Sequence, residues 1–88
     1  MMKISIKIEI FREEDVYVAV SPELNVSSFG DTIEEAKTSA KEAIEAFIEE
    51  CENMGTLKDV LEDSGFLKIN DSWKLREPVA KEEIAFAL

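Results

Sequence analysis

Acid–base and metal chemistry in this chain would have to come from carboxylates. Among its 88 residues, 20 Asp and Glu stand against 10 Lys and Arg, with no His and one Cys. A Ser-His-Asp or Cys-His arrangement needs an imidazole base, so both are excluded. One thiol, Cys51, makes neither an intrachain disulfide nor a zinc knuckle. The three glycines, at 30, 55 and 65, are spread as turn residues and form no phosphate-cradling loop. Carboxylate-bound magnesium is the remaining possibility, and Glu13, Glu14, Asp15 and Asp31 are its candidates. Such sites draw carboxylates from separate strands toward one pocket. Here the acids fall on a predicted turn and at a helix start, with more along an outward helix face, which is the pattern of a solvated surface. Glu9, on the polar face of the first predicted strand, is the acid least easily set aside. No catalytic residue, metal site or cofactor is expected.

The net charge of −10 narrows the partner. Nucleic-acid binders replace phosphate counterions with Lys and Arg, so direct nucleic-acid binding is not expected. A basic protein partner is favoured, and its encounter would be accelerated. Solubility alone is the competing explanation of the charge. Met1-Met2-Lys3-Ile4 is not the apolar opening of a signal peptide, and no apolar run nears the roughly 18 residues of a membrane span. A cytoplasmic location without membrane contact is the expectation.

An apolar fraction of 45% suits a globular chain, and residues 1–88 are too few to divide into two cores, so one domain is expected. Ile4, Ile6, Ile8 and Ile10 alternate with Lys3, Ser5, Lys7 and Glu9, which predicts a strand with one buried face. After the charged turn Arg12-Glu13-Glu14-Asp15, Val16, Val18 and Val20 restart the alternation, so the two strands form an antiparallel hairpin. Pro22 ends the second strand because it lacks the N–H a ladder requires. Val26–Phe29 is a weaker third strand.

Thr32-Ile-Glu-Glu35 has the spacing of a capping box. Beyond it, Ile33, Ala36, Ala40, Ala43, Ile44, Phe47, Ile48 and Cys51 form one helical stripe, with Glu34, Glu35, Glu42, Glu45, Glu49 and Glu52 on the other side. Gly55 stops this helix, and Thr56 starts a short second one ending at Ser64-Gly65. Phe66–Ile69 reads as a brief strand, Trp73–Arg76 is ambiguous, and Ile84–Leu88 is a last strand or an exposed apolar tail. The expected class is α+β, an antiparallel sheet with helices packed on one face in the order β-β-β-α-α-β.

Pro22-Glu23-Leu24, Gly30-Asp31-Thr32, Glu34-Glu35-Ala36 and Glu42-Ala43-Ile44 occur in an order and spacing that resembles HicB-like antitoxins. The resemblance covers about residues 3 to 52, and Asn25-Val26-Ser27 departs from the Pro-Gly-Cys frequent in that family. It implies a truncated RNase H-like fold without nuclease activity. It also implies a partner, a small basic HicA-type toxin that cleaves messenger RNA and whose site the acidic surface would cover. The helix-turn-helix or ribbon-helix-helix that longer family members append has no counterpart in residues 53–88. Some members are solitary modules, and a small core makes a homodimer or higher oligomer the competing expectation.

The candidate partner-binding residues follow from both sources. Glu23 and Asp31 match the resemblance; Glu13, Glu14, Asp15, Glu42, Glu45 and Glu49 are chosen for charge and exposure. Trp73 is either a lid over the core edge or a partner anchor.

Overall fold

The extended segment 3–13 joins two sheets in the computed structural model, which describes residues 2–88. Its first part, β1 (Lys3–Ile4), lies parallel to β6 (Ser72–Leu75), which pairs antiparallel with β5 (Phe66–Ile69). Its last part, β2 (Glu9–Glu13), pairs antiparallel with β3 (Val16–Ser21), and β3 with β4 (Val26–Gly30). The sheet orders are β1-β6-β5 and β2-β3-β4. The class is α+β as expected. One correction concerns the sheet, which contains a parallel β1–β6 ladder and is not wholly antiparallel. A second concerns segment 3–13, which forms two short strands with different partners. Its predicted alternation holds throughout: Ile4, Ile6, Ile8 and Ile10 are half-buried while Lys3, Ser5, Lys7 and Glu9 are exposed.

The hairpin turn is tighter than expected, since Arg12 and Glu13 belong to β2 and only Glu14-Asp15 turn. Glu14 adopts φ 53°, a left-handed conformation that costs a residue with a Cβ some stability. Asn25 and Asn70 hold the same conformation at the other two tight connections. Asparagine tolerates it better.

Helix α1 (Ile33–Met54) starts and stops where its caps require. Thr32 Oγ1 accepts from the Glu35 amide at 3.0 Å, while Glu35 Oε2 accepts from the Asp31 amide at 3.0 Å. At the other end Gly55 has φ 72°, and the Gly55 and Thr56 amides donate to Glu52 and Cys51 carbonyls at 3.0 and 2.9 Å. That double closure satisfies carbonyls the helix leaves open. Helix α2 (Leu57–Asp63) follows, but Thr56 makes no side-chain cap for it. Its hydroxyl instead donates back to the Cys51 carbonyl at 3.4 Å.

Two connected cores hold the layers together. Leu24, Ile44, Leu61, Phe66 and Trp73 are buried together, with Ile4, Ile6, Phe47 and Ile48 packed around them. Ala19, Ala36 and Ala40 form the second cluster, and Ile8 packs against both. Small residues let the start of α1 approach β3 and β4 closely. Ile33, placed in the apolar stripe by its spacing, is 51% exposed because the helix has only just begun there. Residues 76–88 form no helix or strand, so Ile84–Leu88 is an exposed tail.

Candidate functional site

Acidic side chains gather at one end of the β2-β3-β4 sheet because of its register. Arg12 faces Tyr17 and Tyr17 faces Gly30, so the Glu13-Glu14-Asp15 turn lies at the same sheet end as Asp31 and the first turn of α1. Glu13, Glu14, Asp15 and Asp31 are all exposed there, together with Glu34 and Glu35. The Glu35 carboxylate is engaged with the Asp31 amide, which leaves the Asp31 carboxylate outside that cap. Negative charge beside the first turn of a helix is stabilised by its dipole.

Glu42, Glu45 and Glu49 are exposed along α1 at helical spacing. At 1.5 Å per residue they extend the negative surface by about 10 Å along the helix. The two groups form an acidic end and an acidic ridge, separated on α1 by the exposed Lys37 and Lys41.

Glu23 stands apart. It is half-buried in the β3–β4 connection, at the opposite end of the sheet from Asp31. It lines a hollow of about 370 Å³ with Lys7, Glu9, Arg76, Glu77 and Lys81. Its Oε2 is buried and has no hydrogen-bond partner among the described residues. The motif that singled out Glu23 therefore does not bring it to Asp31.

Trp73 lies in the main core at 8% exposure, against Leu24, Ile44, Leu61 and Phe66. Of the two roles its sequence position allowed, the packed one is what the structure displays. Its remaining accessible edge faces a groove lined by Ile4, Ile48, Leu57 and Leu61.

Among the described residues, no three or more His, Cys, Asp or Glu come together in a way that could hold a metal ion. Cys51 is buried on the inner stripe of α1. No helix among the described residues is long and apolar enough to cross a membrane.

Sequence reasoning missed the apolar character of the open sheet face. In the register, Phe11 faces Val18 and Val18 faces Phe29, so the three form one cross-strand row. The inner face is the one that meets α1 through Ala19 and Ile10. Phe11 is 52% and Phe29 67% exposed, although both are large and apolar. The signal was present as Phe11 and Phe29 at the outward positions of strands whose inward positions are also apolar or small.

Compared with known proteins, the chain is matched by no family model, no curated protein and no solved structure.

Proposed function

We propose that this chain is a non-catalytic acidic binding module, similar to HicB-like antitoxins, that masks a small basic HicA-type toxin. The observation that carries the reading is the acidic end formed by Glu13, Glu14, Asp15 and Asp31, with Glu42, Glu45 and Glu49 further along α1. A basic RNA-cleaving protein presents cations where its substrate's phosphates would sit, and an array of carboxylates competes for them. The capped 22-residue helix and the two-residue turn fix the backbone that carries most of these carboxylates before contact. Less ordering is then needed on binding. The chain's strand order, with β6 returning parallel to β1 after α1, is compatible with the truncated RNase H-like arrangement that the resemblance implies.

The test is a mixing experiment with a small basic toxin of this type, at low salt and again at raised salt. A complex that forms at low salt, weakens with salt and disappears in a Glu42→Lys/Glu45→Lys/Glu49→Lys variant supports masking by the ridge. No complex at low salt with the cognate toxin ends the reading.

A second reading is a solitary HicB-related module that works as a homo-oligomeric interaction unit without a toxin. The open apolar row Phe11–Val18–Phe29 favours it, since single exposed apolar residues are ordinary but contiguous ones mark contact surfaces. Both readings place the chain in the cytoplasm as a proposal.

A further inference from the structure

The geometry points to a specific joint between two copies of this chain: residues 84–88 of one add to the open edge of β4 in the other. The inference deepens the self-association reading and is independent of toxin masking.

The donor is a strand in pattern with no strand to join. Ile84-Ala85-Phe86-Ala87-Leu88 alternates large and small residues with period two. Ile84, Phe86 and Leu88 are strongly exposed, and so is Val79. Arg76 donates to the Gly65 carbonyl at 3.1 Å, and the chain beyond it leaves the sheets. The radius of gyration is 15.3 Å, where a compact chain of this length would have about 12 Å. Part of the chain thus lies outside the packed body.

The acceptor is the one outer strand without a charge. Four strands lie at the ends of the two sheet orders: β1, β5, β2 and β4. Lys3 marks β1, Lys68 marks β5, and Glu9, Arg12 and Glu13 mark β2. Charged residues on an edge strand discourage a further strand from pairing. Val26-Ser-Ser-Phe-Gly30 carries none, and its five residues equal the length of 84–88. The side chains of 84–88 carry no charge either, so the paired stretch itself sets no like-charged side chains against each other.

Face chemistry fits as well. A strand added to β4 continues both faces of the sheet. Outside, Phe86 and its apolar neighbours extend the row Phe11–Val18–Phe29, beside a hollow lined by Val16, Val18, Ser27 and Phe29. On the helix side, Ala85 and Ala87 would lie over a hollow of about 500 Å³ lined by Gly30, Asp31, Glu34, Glu35, Thr38 and Ser39. A reciprocal exchange is closed by a two-fold axis, because each copy donates one strand and accepts one. Five donor residues (84–88) and the five residues of β4 give about ten strand residues a side, fewer than the 20–30 of a standard interface, so a weak dimer is expected.

The experiment is sedimentation equilibrium of the full chain and of a variant ending at Pro78, from micromolar to near-millimolar concentration. Circular dichroism of both reads folding separately, and loss of an unpaired tail leaves it unchanged. The expected result is a dimer for the full chain and a monomer for the shortened one. Ser27→Lys and Phe86→Glu, both at exposed positions, are expected to weaken the dimer about tenfold or more while the fold persists. A dimer that survives shortening overturns the tail–β4 joint and leaves self-association standing. A full chain that stays monomeric at the highest concentration overturns both. Should shortening unfold the protein, the two point variants decide: an unaltered dimer constant in both overturns the joint.

Discussion

At Gly30 the absence of a side chain decides how the helix enters. A Cβ there would stand 2.5 Å from the Ala36 amide nitrogen and 2.6 Å from the Glu35 Cβ. The nearer obstacle is backbone and cannot swing aside. Gly30→Ala must push the first turn of α1 away from β4, at a cost of about 1–3 kcal/mol. Urea unfolding measures it, and an unchanged midpoint would contradict the close approach. Ser21 presents the opposite case. Its side chain is fully buried at the end of β3, and its hydroxyl has no hydrogen-bond partner among the described residues. A buried unpaired hydroxyl costs about 1–3 kcal/mol, so Ser21→Ala is expected to stabilise the chain by about 1 kcal/mol. Destabilisation of similar size would mean that the hydroxyl has a partner. The Gly-Asp-Thr and Glu-Glu-Ala residues that suggested a binding family thus have definite structural work: close approach, cap and inner packing. Their presence supports the way the helix is launched more directly than it supports any contact.

Two apparently equivalent helix starts differ at the scale of the element. Thr32 caps α1 through a 3.0 Å bond, whereas Thr56 makes no cap for α2. Thr32→Ala is therefore expected to lower stability by about 1 kcal/mol, in the usual range for a lost N-cap. Thr56→Ala should cost distinctly less, and equal losses in thermal melts of the two variants would contradict the assignment. The long helix was legible because three independent signals agreed: a cap pair, an apolar period and a stopping glycine. The hairpin was legible from valine and isoleucine alternation. The split of segment 3–13 was not, since period-two alternation marks a strand and says nothing about which strand lies alongside. In β3 it did not mark the buried face either, which is that of Ala19 and Ser21 and not of the valines. The parallel ladder to β6 is a pairing across nearly seventy residues, and its only local trace was Trp73-Lys-Leu75, broken soon after by Pro78. At the candidate site, exposure of Glu13, Glu14, Asp15, Asp31, Glu42, Glu45 and Glu49 followed from turn and helix phase. Their grouping into one end and one ridge, with Glu23 at the far end, required the register.

For the whole molecule, the net charge of −10 acts on folding and on binding in opposite directions as salt is added. Within the chain, twenty acidic against ten basic groups repel on balance, and a large net charge destabilises the compact state. The screening length shrinks from about 30 Å at 0.01 M ionic strength to about 8 Å at 0.15 M, which lies well inside the 40 × 35 × 20 Å extents of the chain. Added sodium chloride is thus expected to raise the melting temperature of the isolated protein over this range. Between the acidic surface and a basic partner the same ions screen an attraction, so affinity should fall, mainly through slower association. The proposed self-association through β4 and 84–88 follows a third course. It should strengthen with salt, because screening removes repulsion between like-charged copies and leaves backbone pairing and apolar contact in place. Melting temperature, affinity for the proposed basic partner and the constant of the proposed dimer, measured across one salt series, separate these effects. A melting temperature that falls with salt would show that attractive pairs outweigh repulsion in the folded chain, and the electrostatic basis for a preformed acidic binding surface would go with it.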